Sequence, residues 1–169
     1  LLFIAVIAVI VAGSCLALGT AEGIIASAPD VSTIDVSPEG YATKIYDDGG
    51  NEIQTLSTSG SNRIYVDVED IPITLQHAFI AIEDERFYDH NGIDLQGILR
   101  AGVRGITHGF HFSEGASTIT QQLLKNNVFT GWTSESSFSD KLERKLQEQY
   151  LAVQLEKSVS KDWILENYL

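Results

Sequence analysis

Ten residues concentrate the reactive groups of this chain. EDERFYDHNG, from Glu83 to Gly92, holds four acids, an arginine, a histidine and two aromatics, directly after the apolar-rich run HAFIAI. A carboxylate that emerges from the end of an apolar helix loses part of its solvent, which suits it to general acid or base work. Glu83 is the candidate, because it lies four residues after Phe79 and shares a helix face with it. A solvated acidic helix end explains the same residues, and from this segment alone both readings stand.

A second segment, GASTITQQLLKN from Gly115 to Asn126, is unusual for a surface helix. Thr118, Gln122 and Lys125 fall on one face, with Gln121 one residue off it. That face offers a hydroxyl, amides and an ammonium, while Ile119, Leu123 and Leu124 supply apolar contacts. Free N–H groups at a helix start flanked by Ser117 and Thr118 favour an anion. Together they form a cradle for a phosphate or pyrophosphate; an amphipathic helix with an ordinary polar side is the alternative. A third segment sets Lys141, Arg144, Lys145 and Glu148 along one side of a long helix, with Arg144 and Glu148 at i,i+4. Alone, this is a solvated ion-pair stripe. Beside the other two segments, it adds a second carboxylate that positions cations around a leaving phosphate while the first acts as base.

Other signals carry less. Ser158-Val-Ser-Lys161 matches S-x-x-K, the acylation motif of penicillin-binding transpeptidases, but no S-D-N or K-T-G follows and the residues sit where a helix begins. His108 and His111 lie in a Gly-rich loop without a third metal ligand nearby. His90 is read as a hydrogen-bonding residue of the turn after Phe87. Trp132 and Trp163 are read as packing residues, with Trp132 the one to revisit.

The elements that must position these groups are mostly helical. Leu75 to Phe87 has apolar residues at 75, 79 and 82, one helix face. Asp94 caps a helix through about Ile106, and Ser117 or Thr118 caps one through Lys125. TGWTSESSFS, from Thr130 to Ser139, is a polar break and a candidate flap. Asp140 opens a long helix to about Lys157 with Leu142, Leu146, Tyr150 and Val153 on one stripe, and Ser160 caps KDWILENYL. Upstream, ATKIYDDGGNEIQTL has a strong hairpin signal at DDGGN, and RIYVDV reads as a third short strand. Residues 26–40, with Pro29 and Pro38, read as a stalk.

The chain has 169 residues, room for one domain with a real core. It opens on LLFIAVIAVIVAGSCLAL, eighteen residues without charge. At about 1.5 Å per residue these nearly cross a hydrocarbon layer of roughly 30 Å, and a few more, through Ile24 and Ile25, complete the span. The run is too long for a cleaved signal peptide, so residues 1–25 read as an uncleaved signal-anchor. The first basic residue is Lys44, so nothing after the span holds that side in the cytoplasm and the following domain faces outward. Cys15, the single cysteine, lies inside the apolar run and rules out an internal disulfide framework. The net charge of −12 argues against a nucleic-acid partner. A chain that opens on an anchor without its basic flank and stops at Leu169 in mid-pattern reads as a fragment.

EDERFYDHNGID, GASTITQQLLKN, RKLQEQYLAVQLE (Arg144 to Glu156) and KDWILENYL resemble four successive motifs of the peptidoglycan glycosyltransferase domain, glycosyltransferase family 51. That domain occurs in class A penicillin-binding proteins and monofunctional transglycosylases. The resemblance covers roughly Tyr41 to Leu169, with residues 41–71 a β-rich lead-in and 72–169 a C-terminally incomplete glycosyltransferase domain. It implies a mainly α, lysozyme-like lobe preceded by a transmembrane helix and a short β-hairpin region. It also implies a single-pass protein of the cell membrane with its catalytic domain on the extracytoplasmic face. The implied reaction polymerises lipid II onto a growing lipid-linked glycan strand, with inversion and release of undecaprenyl pyrophosphate.

By the same resemblance Glu83 is the general base for the 4-hydroxyl of the acceptor sugar, and Asp84, Phe87, His90 and Gly92 complete the first motif. Ser117, Gln121, Gln122 and Lys125 line the donor site, Lys125 as a pyrophosphate contact. Arg144, Lys145 and Glu148 belong to the third motif, Glu148 acting near the diphosphate directly or through a divalent cation, Mg or Mn. Lys161 and Glu166 belong to the fourth. The chain departs from the pattern by ending before the asparagine that follows the fourth motif, before the fifth motif and before any transpeptidase domain. The flap carries no basic residue. Two other readings are a lysozyme-like glycoside hydrolase with Glu83 as general acid, and a non-catalytic wall-binding module. The apolar run and Lys125 weigh against the hydrolase; tolerance of Glu83→Gln would mark the binding module.

Overall fold

The structure is a computed structural model that describes residues 2–36, 42–56, 65–108, 115–129 and 131–169. The described residues are mainly α. Helix α1, Leu2–Ala26, is apolar on every side; from Phe3 to Leu18 its described large apolar side chains lie exposed, while Ile24 and Ile25 are half-buried. It is the one helix among the described residues that is long and apolar enough to cross a membrane. Its C-terminal end is not free: Gln147 Nε2 donates to Ile24 O at 3.2 Å and to Ser27 Oγ at 3.1 Å. Beyond it Ala28, Val31 and Ile34 pack against the core and Val36 is buried within it.

Strands β1 (Thr43–Tyr46) and β2 (Glu52–Leu56) form the hairpin signalled by DDGGN. Asp47 accepts from the Asn51 backbone at 2.7 Å, and Gly50 takes φ +81°, a left-handed turn conformation that glycine adopts without strain. Both strands are exposed throughout. The third strand expected at RIYVDV is absent where the chain is described, since residues 65–67 are irregular and Val68–Asp70 is a 3-10 turn. Glu166 holds this segment instead, accepting from the Tyr65 hydroxyl and from Val68 N at 3.0 Å. The rest of RIYVDV, Arg63 and Ile64, lies outside the described residues, as do His111 and Thr130.

Among the described residues five α-helices follow α1. Helix α2 spans Ile73–Glu83 and α3 spans Leu95–Thr107, capped by Asp94, which accepts from Gly97 N at 3.0 Å. Helix α4 spans Ile119–Asn127, α5 Phe138–Leu155 and α6 Lys161–Tyr168, with Ser160 as the N-cap of α6. The core comprises Ile80, Phe87, Ile119, Leu123, Leu124, Leu151, Ala152, Leu155, Ile164 and Leu165, besides Val36. Each such aliphatic side chain stabilises the fold by roughly 1.5–3 kcal/mol.

Expected ends and faces of two helices are corrected. α2 stops at Glu83 rather than Phe87, and it buries Gln76 and Ile80, whereas Leu75, Phe79 and Ile82 are exposed. Gln76 is buried because Val68 O and Ile71 O, each at 3.0 Å, satisfy its amide. α5 starts at Phe138, capped by Ser137 rather than Asp140. It buries Gln147, Glu148, Leu151, Ala152 and Leu155, whereas on the expected stripe Leu142 is exposed, Leu146 and Val153 are half-buried and Tyr150 packs at the edge of the core.

Candidate active site

The site begins where α2 breaks. Asp84 closes the helix, its N–H donating to Ile80 O at 2.9 Å, and its backbone turns to φ −158°, which sends the carboxylate inward. That carboxylate is buried. It meets His90 Nε2 at 3.0 and 3.1 Å and accepts from Ile119 N at 3.0 Å. The electropositive start of α4 is therefore occupied by an internal carboxylate. Gln121 N donates to Thr118 Oγ1 at 3.2 Å, closing a capping box, so two of the first N–H groups expected to greet an anion are already bonded. On the helix face expected as an anion cradle, Thr118 is bonded to Gly92 O, Gln122 to Glu83, and Lys125 lies over Trp132.

Gly92 fixes the same junction. Thr118 Oγ1 donates to Gly92 O at 2.7 Å, and the glycine at φ +88° lies against α5. A Cβ there would stand 2.5 Å from the backbone C and O of Ala152. Phe87 is fully buried under the ammonium of Lys161, 4.3 Å from the ring centroid. Asp84, Phe87, His90 and Gly92 thus join the end of α2 to α4, α5 and α6.

Glu83, the residue before this buried turn, is exposed. The expected desolvation by Phe79 does not occur, because Phe79 turns to Tyr168, edge to face at 6.2 Å. What holds Glu83 is Gln122, whose Nε2 donates to Oε2 at 2.9 Å; Gln122 Oε1 in turn accepts from the Tyr168 hydroxyl at 3.1 Å. On its other side Glu83 lines a cleft of about 130 Å³ with Arg86, Arg100 and Ser117.

The cations gather on α5. Lys145 Nζ donates to Ser117 Oγ at 2.8 Å, Gln121 Oε1 at 3.5 Å and Glu148 Oε2 at 3.0 Å. Arg144 pairs with the other oxygen of Glu148 and, through Nε, with both oxygens of Glu135 at 2.8 and 2.9 Å. Glu148 is fully buried between the two. The solvated ion-pair stripe is therefore corrected: its acid is an interior group. Lys145 keeps 36 % side-chain exposure against 15 % for Arg144. Lys125 lies over the Trp132 ring, 4.5 Å from its centroid.

A divalent cation does not fit Glu148. Both its oxygens are engaged by cationic donors, and a metal there would have to displace an arginine and a lysine from a buried carboxylate. No group of three or more metal-ligating side chains occurs among the described residues. His108 Nδ1 stays on its own helix, 2.9 Å from Arg104 O. Of the S-x-x-K match, Ser158 Oγ donates to Leu155 O while Lys161 pairs with Glu156 at 2.7 Å.

Ser117, Gln121, Arg144, Lys145 and Glu148 form one connected network, and Glu83 and Gln122 a second; α4 contributes to both. Two participants were not read from the sequence. Glu135 is a lone acid in a Ser-rich break, and only its bond to Arg144 gives it a place. Tyr168 is a lone tyrosine at the end of KDWILENYL, and only its bond to Gln122 gives it a place.

A model of the transglycosylase family matches residues 49–169. The chain is 44% identical to penicillin-binding protein 1A of Clostridium novyi over 156 residues, 90% of this chain and 18% of that protein. It is 39% identical to penicillin-binding protein 1A of Clostridium tetani over 172 residues, 100% of this chain and 21% of that protein. It is 45% identical to penicillin-binding protein 1A/1B of Bacillus subtilis over 129 residues, 76% of this chain and 13% of that protein. The chain spans about a fifth or less of the length of these relatives. A membrane-spanning type of helix, a mainly helical lobe and this match agree: the chain belongs to the transglycosylase family.

Proposed function

We propose that the protein is a peptidoglycan glycosyltransferase of cell-wall synthesis that polymerises lipid II, with Glu83 as general base. The observation that carries the proposal is an exposed carboxylate, held by one amide, on the same helix-bound framework as a cluster of cations. Glu83 takes the proton of the acceptor 4-hydroxyl as that oxygen bonds to the donor anomeric carbon. The bond from that carbon to the diphosphate oxygen breaks on the opposite face, inverting the centre. Lys145, Lys125 and Arg144 stabilise the charge that develops on the departing undecaprenyl pyrophosphate. Ser117 and Gln121 orient the Lys145 ammonium. Glu148 keeps Arg144 and Lys145 in place, a positioning role that carries no proton.

A lipid-linked substrate explains why the site follows an apolar helix docked on α5. In this reading α1 anchors a single-pass protein in the cytoplasmic membrane with the catalytic lobe outside. Hydrolysis by the same carboxylate would have no use for the cations. The test is to give the full-length protein fluorescent lipid II with penicillin present and resolve the products by gel. A ladder of glycan strands is expected; unreacted lipid II, or shortening of preformed glycan, would overturn the proposal.

A further inference from the structure

We propose that Tyr168 is a positioning residue for Glu83, acting through the side-chain amide of Gln122. The inference rests on the reading of Glu83 as base and adds a residue from α6 to it.

The relay joins three helices. The Tyr168 hydroxyl donates to Gln122 Oε1 at 3.1 Å, and Gln122 Nε2 donates to Glu83 Oε2 at 2.9 Å. An amide has one acceptor end and one donor end. With Nε2 on an acceptor-only carboxylate, Oε1 faces the Tyr168 hydroxyl, which donates to it. A flipped amide would set Oε1 against Glu83, acceptor to acceptor, and Nε2 against the phenol. The acceptor-only carboxylate sets the amide orientation, and the phenol tethers the far end of the amide, which limits where Nε2 can stand beside the base. Oε2 is held, and Oε1 of Glu83 makes no hydrogen bond with the described residues, which leaves it for the acceptor proton.

The Tyr168 ring is itself fixed. Phe79 packs edge-on at 6.2 Å and an interplanar angle of 81°. Burial, then the charge of Glu83, pushes the phenol pKa up, so the group stays a protonated donor at neutral pH. Glu83 ends α2 and has no side chain of its own helix to fix it: Phe79, on the shared face, is spent on Tyr168. Orientation of an exposed base therefore depends on α4 and α6.

The experiment is steady-state lipid II polymerisation by the full-length protein carrying Tyr168→Phe, Gln122→Leu, both together, or Glu83→Gln. Phenylalanine keeps the ring against Phe79 and removes only the hydroxyl. Expected for Tyr168→Phe is a kcat about tenfold lower with KM unchanged, because the interaction matters only where the proton moves. Gln122→Leu is expected to fall at least as far, and the double variant no further than Gln122→Leu alone, since one path carries both effects. Wild-type kcat in Tyr168→Phe, or additive losses in the double variant, would overturn the relay while an inactive Glu83→Gln leaves the base intact. An active Glu83→Gln would overturn the base reading and the relay with it. If Tyr168→Phe loses its cooperative melt, Gln122→Leu decides alone: wild-type kcat there overturns the relay.

Discussion

Glu148 is a charged group held entirely inside the protein. Its carboxylate is fully buried and bonded on both oxygens by Arg144 and Lys145, so its charge organises the two cations. Removing one partner of a buried charged set leaves the others uncompensated. Glu148→Gln is expected to destabilise the protein by about 3 kcal/mol, read from urea unfolding. Millimolar Mg²⁺ is expected to leave the wild-type melting temperature unchanged, whereas a metal bound through Glu148 would raise it. The types and spacing of Glu83, Gln122, Lys145 and Glu148 were legible in the sequence, because reactive residues stand out in short segments. Their environments were not. Glu83 was expected beside Phe79 and is exposed, because helical periodicity gives a shared face but not what covers it.

At the scale of elements, α4 is the hub, tied to α2 by Asp84, to the turn at Gly92 by Thr118, and to α5 through Lys145. Gly92→Ala adds a Cβ 2.5 Å from the α5 backbone at a left-handed φ, where no rotamer relieves the clash. We expect a loss of about 3 kcal/mol in urea unfolding and a matching loss of polymerisation, since the turn at Gly92 follows directly from the end of α2, where the proposed base sits. The start of α3 adds a pH dependence. The Arg86 guanidinium, ahead of the cap bond from Gly97, holds the Asp94 carboxyl below the usual carboxylate range. A depressed folded-state value means this stabilisation is full above the unfolded value of about 4 and is lost as pH falls through the folded one. Asp94→Asn keeps a capping side chain but loses the charge, so its melting temperature is expected to vary less than that of the wild type below about pH 4.

Helix existence and caps at Asp94, Thr118 and Ser160 were legible because cap chemistry is local. The buried faces of α2 and α5 were not. α2 is apolar on several sides, so its pattern selects no face, and α5 buries Gln147 and Glu148 because distant groups satisfy them. RIYVDV has strand-forming residues, but in the described part Glu166 provides the hydrogen bonds a neighbouring strand would have given.

For the whole molecule, the sequence separated an apolar run from a helical lobe, whereas the structure joins them. Gln147 caps the end of α1 one residue before Glu148, so the anchor is docked on the helix that gathers the cations. Residues 28–36 add Ala28, Val31, Ile34 and Val36 to the core, a contact that their polar, Pro-containing surroundings concealed. An anchored lobe with a base, a relay and a cation cluster forms one account only if Glu83 moves the proton. The direct test is polymerisation of labelled lipid II by full-length Glu83→Gln, alongside its affinity for the same substrate. Loss of rate by about a thousandfold with affinity retained is predicted for removal of a general base. Glycan synthesis near the wild-type rate would contradict it.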